Sequence, residues 1–138
     1  MKRNSLGQKV YESKNFTVGT DPMMVCPATG EGGLSVGLLI LLEQIKEKCD
    51  GAAVTINSGA RSVQHNAAVG GSTKSEHLVN VDNPYSDAAD ISVKGVSTKA
   101  LHTIVKNLPY ANLLGIGYYP EDKFVHVDVR GYGARWVG

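Results

Sequence analysis

Cysteine is scarce in this chain, two residues in 138. Cys26 and Cys49 match neither a CxxC redox motif nor a zinc knuckle, so they read as free thiols packing like small hydrophobes. An excess of one charge is missing as well. Lys and Arg number 14 against 13 Asp and Glu, and nothing concentrates the basic residues beyond Lys2-Arg3. A net charge of +1 argues against a nucleic-acid partner. Long apolar runs are absent: Leu38-Leu39-Ile40-Leu41-Leu42 ends at Glu43, far short of a membrane span. No apolar stretch follows the basic residues within Met1 to Val10, so the chain is expected to be made in the cytoplasm without a secretory signal. What remains is the composition of a globular protein, long enough to bury a core without disulfide staples. One domain over 1–138 is expected.

Gly19, Asp21-Pro22, Pro27, Gly30 and Gly32-Gly33 interrupt the first 33 residues too often for a long helix, and an irregular segment is predicted over 1–33. From Ser35 to Cys49, Leu38, Leu41, Leu42, Ile45 and Cys49 share one helical face, with Gly51 placed as a C-terminal cap. Ala53 to Ile56 reads as a strand, Ser62 to Ala68 as a short helix, and 72–86 as a loop. Ala89 to Val93 alternates as a half-buried strand. Ser97 can cap a helix carrying Leu101, Ile104, Val105 and Leu108, stopped by Pro109. Gly115 to Tyr119 and Phe124 to Arg130 read as an antiparallel hairpin turning at Pro120 to Lys123. Irregular interleaving of helices and strands predicts an α+β fold.

His77, Asp90 and His126 stand out chemically. Two imidazoles and a carboxylate leave a tetrahedral zinc one open position, the mark of a catalytic rather than a structural site. Alternation along the last predicted strand puts Phe124, His126, Asp128 and Arg130 on one face and Val125, Val127 and Val129 on the other. The valines anchor that strand. The opposite face becomes a row of imidazole, carboxylate and guanidinium.

These segments resemble the zinc D-alanyl-D-alanine peptidases and their relatives, which share a fold with the hedgehog signalling domain. The small branch of phage and bacterial cell-wall peptidases is the nearest match. Ser75 and His77 match the start of the family pattern S-x-H-x-x-G-x-A-x-D, and Ala88 and Asp90 match its end. Ser58-Gly59-Ala60-Arg61-Ser62 is similar to the family's Ser-Gly-Tyr-Arg-Ser turn, and His65 to Gly71 to the segment after it. Gly115 to Pro120, Phe124 to Asp128 and Arg135-Trp136 resemble the C-terminal hairpin and ending. The likeness covers roughly residues 35–138, so a family-like core is expected over 34–138.

The resemblance implies a hedgehog/DD-peptidase-like fold, with a central antiparallel sheet and flanking helices. It implies Zn²⁺ held by His77, Asp90 and His126, and hydrolysis, by metal-activated water, of an amide bond in peptidoglycan stem peptides or cross-links. Arg61 is expected to bind a substrate carboxylate or the developing oxyanion, and Ser75 to sit beside the substrate. Asp90 follows His77 by thirteen residues, whereas the family spacing is seven, so Asp87 is a rival ligand; Asp90 is preferred because it opens the predicted strand. The slots where relatives carry a general base hold Lys123 and Phe124. Asp128, on the strand face of His126, is the expected base, with Asp122 and Glu121 next. Tyr118, Tyr119 and Trp136 are read as core, and His102 as solvated. A phage lytic or virion-associated peptidase acting on the cell wall is the expected setting. The alternative is a zinc-binding recognition or assembly module without catalysis.

Overall fold

Serines start the α-helices. Ser35, Ser62 and Ser97 lie in extended backbone, and their hydroxyls accept from the amides of Leu38, His65 and Ala100. Each bond satisfies an N–H that the first helical turn leaves without a partner. In the computed structural model, which describes residues 2–138, the helices are α1 (Val36–Lys48), α2 (Val63–Ala68) and α3 (Thr98–Lys106). The strands are β1 (Gly33–Leu34), β2 (Val54–Ser58), β3 (Tyr85–Ser86), β4 (Ala88–Val93), β5 (Gly115–Tyr119), β6 (Phe124–Asp128) and β7 (Ala134–Val137). The fold is α+β, a central sheet with flanking helices.

That sheet runs β2-β4-β6-β5-β7. Its first four strands are antiparallel, but β7 returns parallel to β5, so the sheet is mixed at one edge rather than antiparallel throughout. Alternation buries Val54, Ile56, Ala89, Ile91, Val93, Ile116, Val125 and Val127 on one face, against Leu38, Leu41, Leu42 and Ile45 of α1 and Leu101 and Val105 of α3. Each such leucine or isoleucine stabilises the fold by roughly 1.5–3 kcal/mol relative to exposure. The packed face holds the other face rigid, and the chemistry lies there.

The ladder register aligns that second face in rows. Ser58 pairs with Asp90, Asp90 with His126, His126 with Gly117, and Gly117 with Trp136. The neighbouring row is Ala88, Asp128, Gly115 and Ala134.

The N-terminal segment is irregular apart from an isolated bridge between Arg3 and Lys9, a 3₁₀ turn over Pro22–Met24 and the first residue of β1; Met1 of the segment predicted over 1–33 lies outside the described residues. The segment still belongs to the core, because Val10, Phe16 and Met24 join the apolar cluster. It also docks the extra residues between His77 and Asp90. β3 pairs with β1, the Tyr85 hydroxyl donates to the Lys9 carbonyl at 2.8 Å, and the Tyr85 and Tyr11 rings lie 4.9 Å apart. The insertion is therefore looped out, and Asp90 keeps its place at the start of the sheet. His102, expected in solvent, stacks on Tyr118 with centroids 4.5 Å apart, because α3 packs across β5.

Candidate metal centre

On the sheet side, Asp90 and His126 face each other from adjacent strands, β4 and β6. His126 Nδ1 lies 3.0 Å from Asp90 Oδ1. On the loop side, residues 75–79 run beside Arg61. The Arg61 amide donates to the His77 carbonyl, and the Val79 amide donates to the Arg61 carbonyl, both at 2.9 Å. This short zipper aims His77 at the sheet. Its Nε2 lies 3.2 Å from both Asp90 Oδ1 and His126 Nδ1.

The outer partners decide which ring nitrogens are free. His77 Nδ1 donates to the Gly59 carbonyl at 2.7 Å, since a carbonyl only accepts. His126 Nε2 donates to Asp128 Oδ2 at 2.7 Å. In their neutral forms both rings then turn a lone pair toward Asp90 Oδ1. Three buried acceptors, 3.0 to 3.2 Å apart, converge on one point. Vertices of a tetrahedral zinc site with bonds near 2.0–2.1 Å are about 3.3–3.4 Å apart, so the triangle matches one face of that tetrahedron. Donation of each second ring nitrogen to a carbonyl or carboxylate is what metal-bound imidazoles require. The residues fit the ion.

Electrostatics agree. Burial would push the Asp90 carboxyl up, but the His126 and His77 imidazoles beside it, when they carry a proton on that side, hold it well below the ordinary carboxylate range. Burial would likewise lower His126, yet Asp128 and Asp90 raise it. The point between the three atoms attracts positive charge.

The remaining site residues take distinct places. Arg61 leans on the centre itself: Nη2 donates to Asp90 Oδ2 at 3.2 Å, Nε to Ser58 Oγ at 3.0 Å and Nη1 to Asn66 Oδ1 at 3.3 Å. It thereby occupies the second oxygen of Asp90. The Ser75 hydroxyl accepts from the His77 amide at 3.2 Å, shaping the turn that carries His77. Asp87 stays outside the three-atom group, its backbone tied to Glu76 and Val129. Glu121 and Asp122 are exposed in the β5–β6 turn.

Asp128 has a geometry unlike that of a base. It is fully buried; one oxygen takes His126 Nε2 and Arg130 Nη2, the other Arg130 Nε and the amides of Gly115 and Arg130. Burial would raise its carboxyl, but Arg130 and His126 hold it well below the ordinary range. A carboxylate so engaged orients His126 and has no free lone pair for a water in the cleft. Gly115 makes room for it, since a Cβ there would collide with the Asp128 carboxylate.

The centre floors a cleft of about 560 Å³. One wall is the loop from Val69 to Glu76; the other is Tyr119, Phe124 and Trp136. The aromatics expected in the core thus include two, Tyr119 and Trp136, that line the cleft. Glu76 was not anticipated. It lines the cleft beside His77, and burial, with Asp128 and Asp87 nearby, pushes its carboxyl up against the pull of Arg130 and His126. Asn66 was also missed: buried, it accepts from Arg61 and donates to the Ser72 carbonyl at 2.9 Å. Its only signal was position, one turn after a serine cap.

Among known proteins, the family model described as Peptidase M15 matches residues 11–128. Over 95 residues, 69% of its length, the chain is 30% identical to the zinc D-Ala-D-Ala carboxypeptidase of Streptomyces albus G. It spans about a third (34%) of that relative.

Proposed function

The chain belongs to the peptidase M15 family, and from that premise we propose that it is a zinc-dependent peptidase hydrolysing an amide bond in peptidoglycan stem peptides or their cross-links. One observation carries the reading: three buried acceptors at tetrahedral-face spacing, each imidazole set in its tautomer from behind. The substrate class rests on the family and on the relative's name. When bound, zinc supplies Lewis acidity, polarising a carbonyl oxygen and lowering the pKa of water.

The chain's own residues do the rest. His77, Asp90 and His126 hold the ion. Arg61 keeps Asp90 presenting a single oxygen, and with three of its N–H groups used it retains two to meet a substrate oxygen. Proton transfer falls to Glu76. Asp90 and Glu76 are the carboxylates lining the cleft; Asp90 is a ligand, and Asp128 is turned away toward His126 and Arg130. Tyr119, Phe124 and Trp136 offer flat apolar faces to an extended peptide.

The test is mass spectrometry of purified peptidoglycan after incubation with the protein, with and without a zinc chelator. New amine and carboxyl ends that disappear with chelator are expected, and the product masses tell release of a terminal residue from opening of a cross-link. Lys123 and Phe124 in the slots where relatives keep a base favour the second reading, a zinc-binding module. Intact peptidoglycan after exposure to zinc-loaded protein would establish that reading instead.

A further inference from the structure

We propose that Trp136 is a positioning residue for His126, so that the last strand completes the metal centre; the inference rests on the ligand role of His126 proposed above. Trp136 lies two strands away from His126, with β5 between them. Neighbouring strands are about 4.8 Å apart, so residues two strands apart in one row are normally separated by the side chain between. Here that residue is Gly117, paired with His126 on one side and Trp136 on the other. The indole lies in the vacated space: a Cβ on Gly117 would sit 2.5 Å from Trp136 Nε1. Its ring reaches the imidazole, with centroids 4.9 Å apart and planes inclined at 53°.

Two further contacts fix the indole, one through a tyrosine that is itself stacked. Its Nε1–H donates to the Tyr119 hydroxyl at 2.8 Å. Tyr119 is stacked on Phe124 at 4.4 Å. The Arg130 guanidinium lies 5.3 Å from the indole centroid, within cation–π reach, while its fork grips Asp128. His126 is thus held at Nε2 by Asp128 and on its ring by Trp136, and Arg130 ties the two supports together. An imidazole free to swing loses part of each encounter with the ion, which is why residues behind a ligand are worth about 10–100-fold in metal affinity.

The experiment measures zinc affinity of the full chain by competition with a chromophoric chelator, without substrate, alongside far-ultraviolet circular dichroism. Trp136→Ala is expected to bind zinc about tenfold more weakly or worse, while Trp136→Phe, which keeps a ring against His126, recovers most of that loss. Gly117→Ala displaces the indole without deleting it and is expected to weaken zinc as Trp136→Ala does. It also decides the matter where Trp136→Ala fails to fold. Trp136 is the single tryptophan, so its emission should change on zinc addition with the midpoint found by competition. Folded Trp136→Ala and Gly117→Ala proteins with wild-type zinc affinity would overturn the inference and leave the peptidase reading standing. Wild-type protein that takes up no zinc would overturn both.

Discussion

The two sides of the metal centre are built by different means. Asp90 and His126 stand on adjacent strands, so backbone ladders set their spacing, and the valines beneath hold those ladders still. His77 stands on a loop. Its placement depends on a two-bond zipper to Arg61, one bond to the Gly59 carbonyl, and the Asn66 clamp on Ser72 in the preceding turn. A sheet resists displacement cooperatively, whereas the loop loses its geometry one hydrogen bond at a time. The loop side, tied by fewer bonds than the sheet side, is the one expected to loosen first.

The hardest test removes a ligand from each side. His77→Ala and His126→Ala should both lose stoichiometric zinc by elemental analysis; a full equivalent retained by both would dismiss the centre. Asp128→Asn comes next and probes the rigid side. Zinc affinity should fall about 10–100-fold, with amide exchange in 69–76 unchanged. Glu76→Gln separates orientation from proton transfer: zinc stays at wild-type affinity and turnover drops by about 10²–10⁴. Normal turnover in that variant would return the base role to other groups.

Asn66→Ala probes the loop side. Loss of its bonds to Arg61 and Ser72 should cost roughly 1–3 kcal/mol and raise amide exchange over 69–76, while β4 and β6 stay protected. Equal loosening of both sides would erase the distinction. The smallest effect lies far from the centre. Glu43 accepts from the Asn15 amide and side chain, and although burial pushes its carboxyl up, Asn15, Ser13 and Lys46 hold it below the ordinary value. A lowered folded pKa contributes stability that is present above the unfolded value near 4.3 and is lost as pH falls through the folded one. Glu43→Gln should therefore cost no more than about 0.5 kcal/mol at neutral pH, with the difference closing in acid, as followed by thermal unfolding.

Much of this was legible along the chain. The shared apolar face of 38–49 and the Ser97 cap announced two helices because periodicity and capping are local chemistry, whereas the caps at Ser35 and Ser62 emerged only in the structure. Alternation from Phe124 to Arg130 announced the strand and its polar face because side chains alternate regardless of what they meet. β7 was not legible: four residues, Ala134–Val137, carry no strong alternation, and their partner β5 is distant in sequence. Glu76 and Asn66 were missed for a related reason. Single polar residues acquire meaning only from what the fold sets beside them. Asp128 shows the limit most sharply, since its strand face was correctly read, yet Arg130 and two backbone amides bind its oxygens and turn it from the cleft.

Residue order alone determined most of the elements, the candidate ligand types and the family resemblance, because helix caps, strand alternation and coordination chemistry act over a few residues. Only the tertiary structure decided that Asp90 rather than Asp87 meets the two imidazoles, that Arg61 grips the Asp90 carboxylate, and that Trp136 reaches His126 across Gly117. Those are distances between segments far apart in the chain, set by ladder register and by the packing of one sheet face.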